Sequence, residues 1–206
     1  MFVKVWRFMT LLLVALLTGL AFAHVLERPV KLHYDAATYI YLQQTLYKEW
    51  GPPNAGGILE PMAILATCIL AAVTRGMRVE FLLALAAAIA LLIAFPIVFF
   101  VFVAPANEIF RAATPTSIPS NWMDLRASWE TGHSIRFVFQ LIAFMLLLAS
   151  TLVEHPQRAK LARLSKDALT KLKTSLPRNG NPITVTAPDV PLRERHPNKQ
   201  VVWRVK

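Results

Sequence analysis

Four apolar stretches separated by polar links run along this chain, each long enough to cross a bilayer as a helix. They extend from about Val5 to Val25, Ile58 to Thr74, Val79 to Ala104 and His133 to Val153. A helix needs roughly 20 residues to cover ~30 Å of hydrocarbon. Alanine and leucine dominate the stretches, without the ~10-residue alternating segments of a membrane barrel. The predicted fold class is therefore all-α, a four-transmembrane-helix bundle with one interior. Residues 1–153 form the membrane domain and residues 154–206 a basic tail.

The links carry patterns of their own. Residues 31–50 read as one amphipathic helix on the membrane surface, with Leu32, Ala36, Tyr39, Ile40, Leu46, Tyr47 and Trp50 on one face. Lys31, Asp35, Thr38, Thr45, Lys48 and Glu49 fall on the other. Tyrosine and tryptophan favour the headgroup level, so this helix is expected to rest across the bundle as a connector or a lid. Gly51-Pro52-Pro53-Asn54 breaks it, and Gly56-Gly57 permits a tight start to the second span. Pro96 should kink the third span, which is expected to end at Pro105-Ala-Asn107-Glu108. Asn121 stands where a capping residue would open the last helix. From there Trp122, Leu125, Trp129, His133, Arg136 and Gln140 recur at steps of three or four, forming one stripe. After Glu154 a basic amphipathic helix is expected to bind anionic lipid, and from Pro177 onward the composition predicts disorder.

Charge orients the chain. Most of its 22 basic residues lie before the first span, between the second and third, or after the fourth. This bias predicts cytoplasmic termini and an integral protein of the cell membrane. The net charge of +10 follows from this topology, with no nucleic-acid partner required. The start of the chain also resembles a signal peptide ending at Ala21-Phe22-Ala23. Cleavage there would expose His24 as an N-terminal histidine, an arrangement that suits copper. The long apolar run favours retention, as do Ala15, Gly19 and Ala23, a small-residue packing face at four-residue spacing. A single cysteine, Cys68, excludes thiol-linked quinone reduction and is expected to pack inside the second span.

Polar residues gather at one end of the spans: His24, Glu60, Asn107, Glu108, His133, Arg136 and Gln140. Ionisable groups at membrane depth are expensive and mark functional sites. Arg136 needs an anion, with Glu60 the most economical partner and Glu108 or Glu130 the alternatives; such a pair also serves as a purely structural pin. Histidine suits proton transfer near neutral pH. His24, His133 and Glu60 would also make a two-histidine, one-carboxylate metal set, though no local ligand motif supports one. Haem ligation fits poorly, because both histidines lie near helix ends. The sequence leaves the cofactor, the substrate and the oligomeric state open.

The pieces His24-Val-Leu-Glu-Arg-Pro29, Pro105-Ala-Asn107 and Trp129-Glu-Thr-Gly-His133-Ser-Ile-Arg136 resemble the anthrone oxygenase-like family of small four-helix membrane proteins. The resemblance covers roughly residues 8 to 152. It implies oxidation of a lipophilic aromatic or quinone-like compound by dioxygen, without a required cofactor. His133 or His24 would then be the base, and Arg136 and Asn107 would hold the enolate and developing peroxide. Trp122 and Trp129 would stack on the ring, with Glu60 and Gln140 completing the binding surface. A non-catalytic accessory or ligand-binding role uses the same pocket.

Overall fold

The computed structural model describes residues 1–114, 116–153 and 164–171. The chain divides into two units at Val153 and Glu154, each described by itself. Among the described residues the regular structure is helical, with a lone bridge between Thr114 and Ser117. The first unit contains α1 (Phe2–Lys31), α2 (Ala36–Gln44), α3 (Leu46–Trp50), α4 (Ala55–Val73) and α5 (Arg78–Leu92). A π-helical segment (Ile93–Val103) then leads into α6 (Ala104–Ala112), and α7 (Trp122–Leu152) closes the unit. Four continuous helical stretches are long and apolar enough to cross a membrane: Phe2–Lys31, Ala55–Val73, Arg78–Ala112 and Trp122–Leu152.

These stretches pack in a closed circuit: α1 against α4 and α7, α5 against the same two, and the π segment against α7. The buried seams explain the circuit. On α7 the buried residues Trp129, His133, Arg136, Gln140, Ala143, Leu147 and Ser150 follow steps of four and three. On α4 the same rhythm gives Gly56, Glu60, Ala63, Thr67 and Leu70. That 3.5-residue repeat keeps one narrow stripe facing its neighbours. Val14, Leu17, Ala63, Leu70, Ala84, Ala87, Leu91, Ala143 and Leu147 interdigitate as the apolar core. Leu12, Leu16, Phe22, Leu65, Leu82, Ile89, Val138 and Met145 point outward, as lipid-facing residues should.

Several expectations need correction. Residues 31–50 do not form one helix: α1 continues through Lys31, a turn follows, and the backbone breaks again at Thr45 (φ −111°, ψ −80°). Lys31, placed by periodicity on a solvated face, is 2% exposed, because it belongs to the last turn of α1. Of the Ala15–Gly19–Ala23 face, Gly19 is exposed and a Cβ there meets nothing within 4 Å, while Ala15 and Ala23 are half-buried; the buried face of α1 includes Val14, Leu17, Thr18, Ala21 and His24. Cys68 is exposed on α4. Asn121 begins α7 without a side-chain cap; its backbone carbonyl accepts from Asp124 N at 3.0 Å instead. The helix does not end at Glu108 but runs to Ala112.

Around Pro96 the hydrogen-bonding pattern of the helix changes. Proline cannot donate to the preceding turn, and the chain widens to i→i+5 bonding for 11 residues. Phe99 and Val103 are thereby buried on the inner side. The widened segment also approaches α7 closely at Gly132. A Cβ there would lie 2.7 Å from Phe102 Cβ and 2.8 Å from Val103 Cγ2, so only glycine fits.

In the second unit residues 164–171 are helical and exposed. The rest of the expected amphipathic helix and the expected disordered end lie outside the described residues.

Candidate functional site

The polar ends of the four stretches meet beside α3 and the loop that follows it. There they line a cavity of about 50 Å³, bounded by Leu17, Ala21 and His24 of α1, Glu60 of α4 and Phe99 of the π segment. Asn107 of α6, Trp129, His133, Arg136 and Gln140 of α7, and Tyr47, Trp50, Gly51 and Pro52 above complete the wall. Of the residues singled out from sequence, His24, Glu60, Asn107, Trp129, His133, Arg136 and Gln140 line this space, and Trp122 and Glu108 do not. The Trp122 ring is half-buried beside the aromatic cluster of Tyr39 and Phe110, with the Arg126 guanidinium 4.6 Å from its centroid. It does not face the cavity.

The lower wall is a charge network. Arg136 Nη2 forms a close ion pair with Glu60 Oε1, and both side chains are under 10% exposed. Gln140 Nε2 donates to the same oxygen at 3.2 Å, and Arg136 Nη1 lies 3.4 Å from His133 Nδ1. The guanidinium is also 5.1 Å from the Phe99 ring. Two alternatives for its partner fall away: Glu108 is exposed, and Glu130 is engaged elsewhere.

Aromatic rings form the middle layer. His24 and His133 lie with centroids 4.1 Å apart, Trp129 stands 4.1 Å from His133, and Tyr47 and Trp50 approach His24 at 5.1 and 5.2 Å. Trp129 Nε1 donates to Asn107 Oδ1 at 2.8 Å, which fixes both side chains and leaves the Asn107 amide nitrogen as its remaining donor group.

Tautomers follow from these contacts. A guanidinium can only donate, so His133 Nδ1 is the acceptor toward Arg136 and the ring proton sits on Nε2. His24 Nδ1 is buried without an intramolecular partner, as are Arg136 Nε and Gln140 Oε1. Three polar atoms with unused hydrogen-bonding capacity thus belong to residues lining one cavity. Buried polar groups are normally satisfied, and exceptions concentrate where a ligand, an ion or water binds.

A second buried cluster, which periodicity did not reveal, lies above. Lys31 Nζ pairs with Glu130 Oε1 at 3.1 Å, and Tyr39 donates its hydroxyl to that same oxygen at 3.0 Å. The ammonium lies 4.8 Å from the Tyr47 centroid and 4.7 Å from that of Trp129, close enough for cation–π attraction. Tyr47 in turn donates to Glu27 Oε2 at 2.6 Å. Burial, reinforced by these carboxylates, pushes both tyrosine hydroxyls well above their ordinary range, so they stay protonated donors. Two sequence signals pointed here: the i,i+4 spacing of Glu27 and Lys31, and Glu130 beside the Trp129 stripe.

The interior thus holds two ion pairs of opposite sense, Lys31–Glu130 and Arg136–Glu60, with two imidazoles between them. Among the described residues the buried lysine, arginine and glutamate side chains are Lys31, Glu60, Glu80, Glu130 and Arg136, and four of them form these two pairs. The described residues contain no group of three or more histidine, cysteine, aspartate or glutamate side chains placed to hold a metal ion, so His24, His133 and Glu60 do not converge as a ligand set. Comparison with protein-family models, curated proteins and solved structures finds no match for the chain.

Proposed function

We propose that this protein is a four-helix membrane bundle with cytoplasmic termini, capped on its outer side by α2 and α3. It would bind a lipophilic aromatic or quinone-like molecule in the cavity and oxidise it with dioxygen. The observation that carries the reading is the set of unpartnered atoms His24 Nδ1, Arg136 Nε and Gln140 Oε1 around one aromatic-walled space. Together they offer a base, an anion-binding donor and an acceptor, the set needed to remove a proton from an acidic C–H and hold the anion.

Role assignments follow from the hydrogen bonds. His24 is the base, because its Nδ1 is free, whereas His133 presents Nε2–H and acts as a donor to developing negative charge. Arg136 contributes through Nε, since Glu60 and His133 occupy its other nitrogens. Trp129, oriented by Asn107, supplies the stacking face. In balanced form, an activated methylene and O₂ give a carbonyl and water, with His24 taking the first proton. The alternative is a ligand-binding accessory protein without turnover. The observation that favours it is that the arginine of the cavity wall is already paired with Glu60.

Oxygen uptake by the purified protein with an anthrone or hydroquinone decides between them. Turnover that His24→Ala abolishes and His133→Ala reduces is the expected result. Tight binding of the same compounds without any oxygen uptake by the wild type would establish the accessory role. Turnover indifferent to His24→Ala would refute the base assignment.

A further inference from the structure

The cavity is far smaller than the molecules its walls suit. Its 50 Å³ holds a few waters, whereas pockets for drug-sized ligands occupy about 300–1,000 Å³. One wall must therefore yield. The long helices are poor candidates, because their seams interdigitate along their whole length and two buried ion pairs tie them together.

The upper wall is built differently. Helix α3 has five residues and is separated from α2 by the break at Thr45 and from α4 by Gly51 to Asn54. Asn54 Nδ2 donates to Lys48 O at 3.3 Å and Glu49 Oε2 at 3.0 Å, joining α3 and its following loop into one short body. Helix α2 is held firmly by contrast. Tyr39 binds Glu130, and Gln44 Nε2 donates to both Phe110 O and Ala113 O at 2.8 Å. Among the described residues, the one side-chain hydrogen bond from α3 to the long helices is Tyr47 to Glu27, whose carboxylate is 36% exposed. At the far end of α3 the Trp50 carbonyl rests on Gly56, where a Cβ would overlap it.

We infer that residues 46–54 are a hinged lid through which a lipophilic ligand reaches the cavity, latched by Tyr47 on Glu27 and seated on Gly56. Lifting it removes Tyr47, Trp50, Gly51 and Pro52 from the cavity at once while α2 stays anchored. The inference rests on the proposed pocket for its ligand, but its motion can be measured without one.

Tyr47→Phe removes the latch and keeps the ring, and Gly56→Ala unseats the lid from its other end. Hydrogen exchange of the full-length protein in nanodiscs reads the motion. Amides of residues 46–51 should exchange faster in either variant, by about tenfold to a hundredfold in Tyr47→Phe, as expected for losing one hydrogen bond to a charged acceptor. Residues 36–44 and 122–140 should not change. Stopped-flow quenching of tryptophan emission by dimethylnaphthoquinone reads access to the cavity. Association and dissociation should accelerate together in Tyr47→Phe, leaving the affinity within a few-fold. Unchanged exchange at 46–51, or acceleration that spreads through α2, overturns the lid. Faster exchange without quinone binding by any form keeps the lid and refutes the proposed pocket. Weaker affinity at an unchanged association rate shows Tyr47 to be a ligand contact rather than a latch.

Discussion

Removing one partner of the Arg136–Glu60 pair tests the claim that this arginine is tolerated in the interior because Glu60 answers its charge. In Glu60→Gln the guanidinium keeps its burial, under 10% of the side chain being exposed, but faces a neutral amide. Its remaining neighbours are the His133 imidazole at 3.4 Å and the Phe99 ring at 5.1 Å, neither of which carries negative charge. Breaking a buried pair in this way costs about 3–5 kcal/mol. The unfolded chain in a membrane finds other polar partners, which pulls the value toward the lower end. Replacing both residues, as Glu60→Gln with Arg136→Met, removes the stranded charge and retains an acceptor for Gln140 Nε2. Its net cost should fall to about 1–2 kcal/mol, a hydrogen bond or two rather than an ion. Titrating reconstituted protein from mild detergent into sodium dodecyl sulfate gives the unfolding free energies for the double-mutant cycle. A coupling energy of about 2 kcal/mol or more is expected. Additive single effects, or a Glu60→Gln variant as stable as the wild type, would refute the reasoning.

Three further outcomes can be measured directly. Gly132→Ala should lower stability by about 1–3 kcal/mol by overpacking against Phe102 and Val103, whereas Gly19→Ala, with nothing within 4 Å of the added methyl, should be neutral or stabilising in the same titration. Reporter fusions should read as exported near Pro53 and as cytoplasmic at Lys206; the reverse at either position defeats the proposed orientation. The raised hydroxyls of Tyr39 and Tyr47 mean that the folded state holds those protons more tightly than the unfolded chain. Their contribution to stability is therefore full below about pH 10, the ordinary tyrosine value, and declines as pH rises beyond it. Tyrosinate absorbance up to about pH 11 should be the same in the wild type and in Tyr39→Phe/Tyr47→Phe, and a smaller signal in the double variant would show that these hydroxyls ionise.

The sequence made the spans legible because length and hydropathy alone determine them. The convergence of His24, Glu60, Asn107, His133, Arg136 and Gln140 was legible for a related reason: each is a polar residue at the same depth of an otherwise apolar helix, so each must face inward. Lys31 was not, because a lysine two residues after a proline and at the start of an interfacial segment has the same local pattern whether it is solvated or buried. Only Glu130, 99 positions later, distinguishes the two, and it does so through a tertiary contact of 3.1 Å. Trp122 failed in the opposite direction. It continues the α7 stripe in periodicity, yet its ring sits against Arg126 instead of the cavity. The π segment was hidden too, since Pro96 announces a missing hydrogen bond but not how the chain will rearrange to absorb it.

Both buried ion pairs end on α7. Lys31 is made early and waits for Glu130, and Glu60 on α4 waits for Arg136. The last long helix thus carries one carboxylate and one guanidinium that answer charges on two different earlier helices; without it Lys31 would keep the longer 3.9 Å contact to Glu27 on its own helix, and Glu60 would lose Arg136.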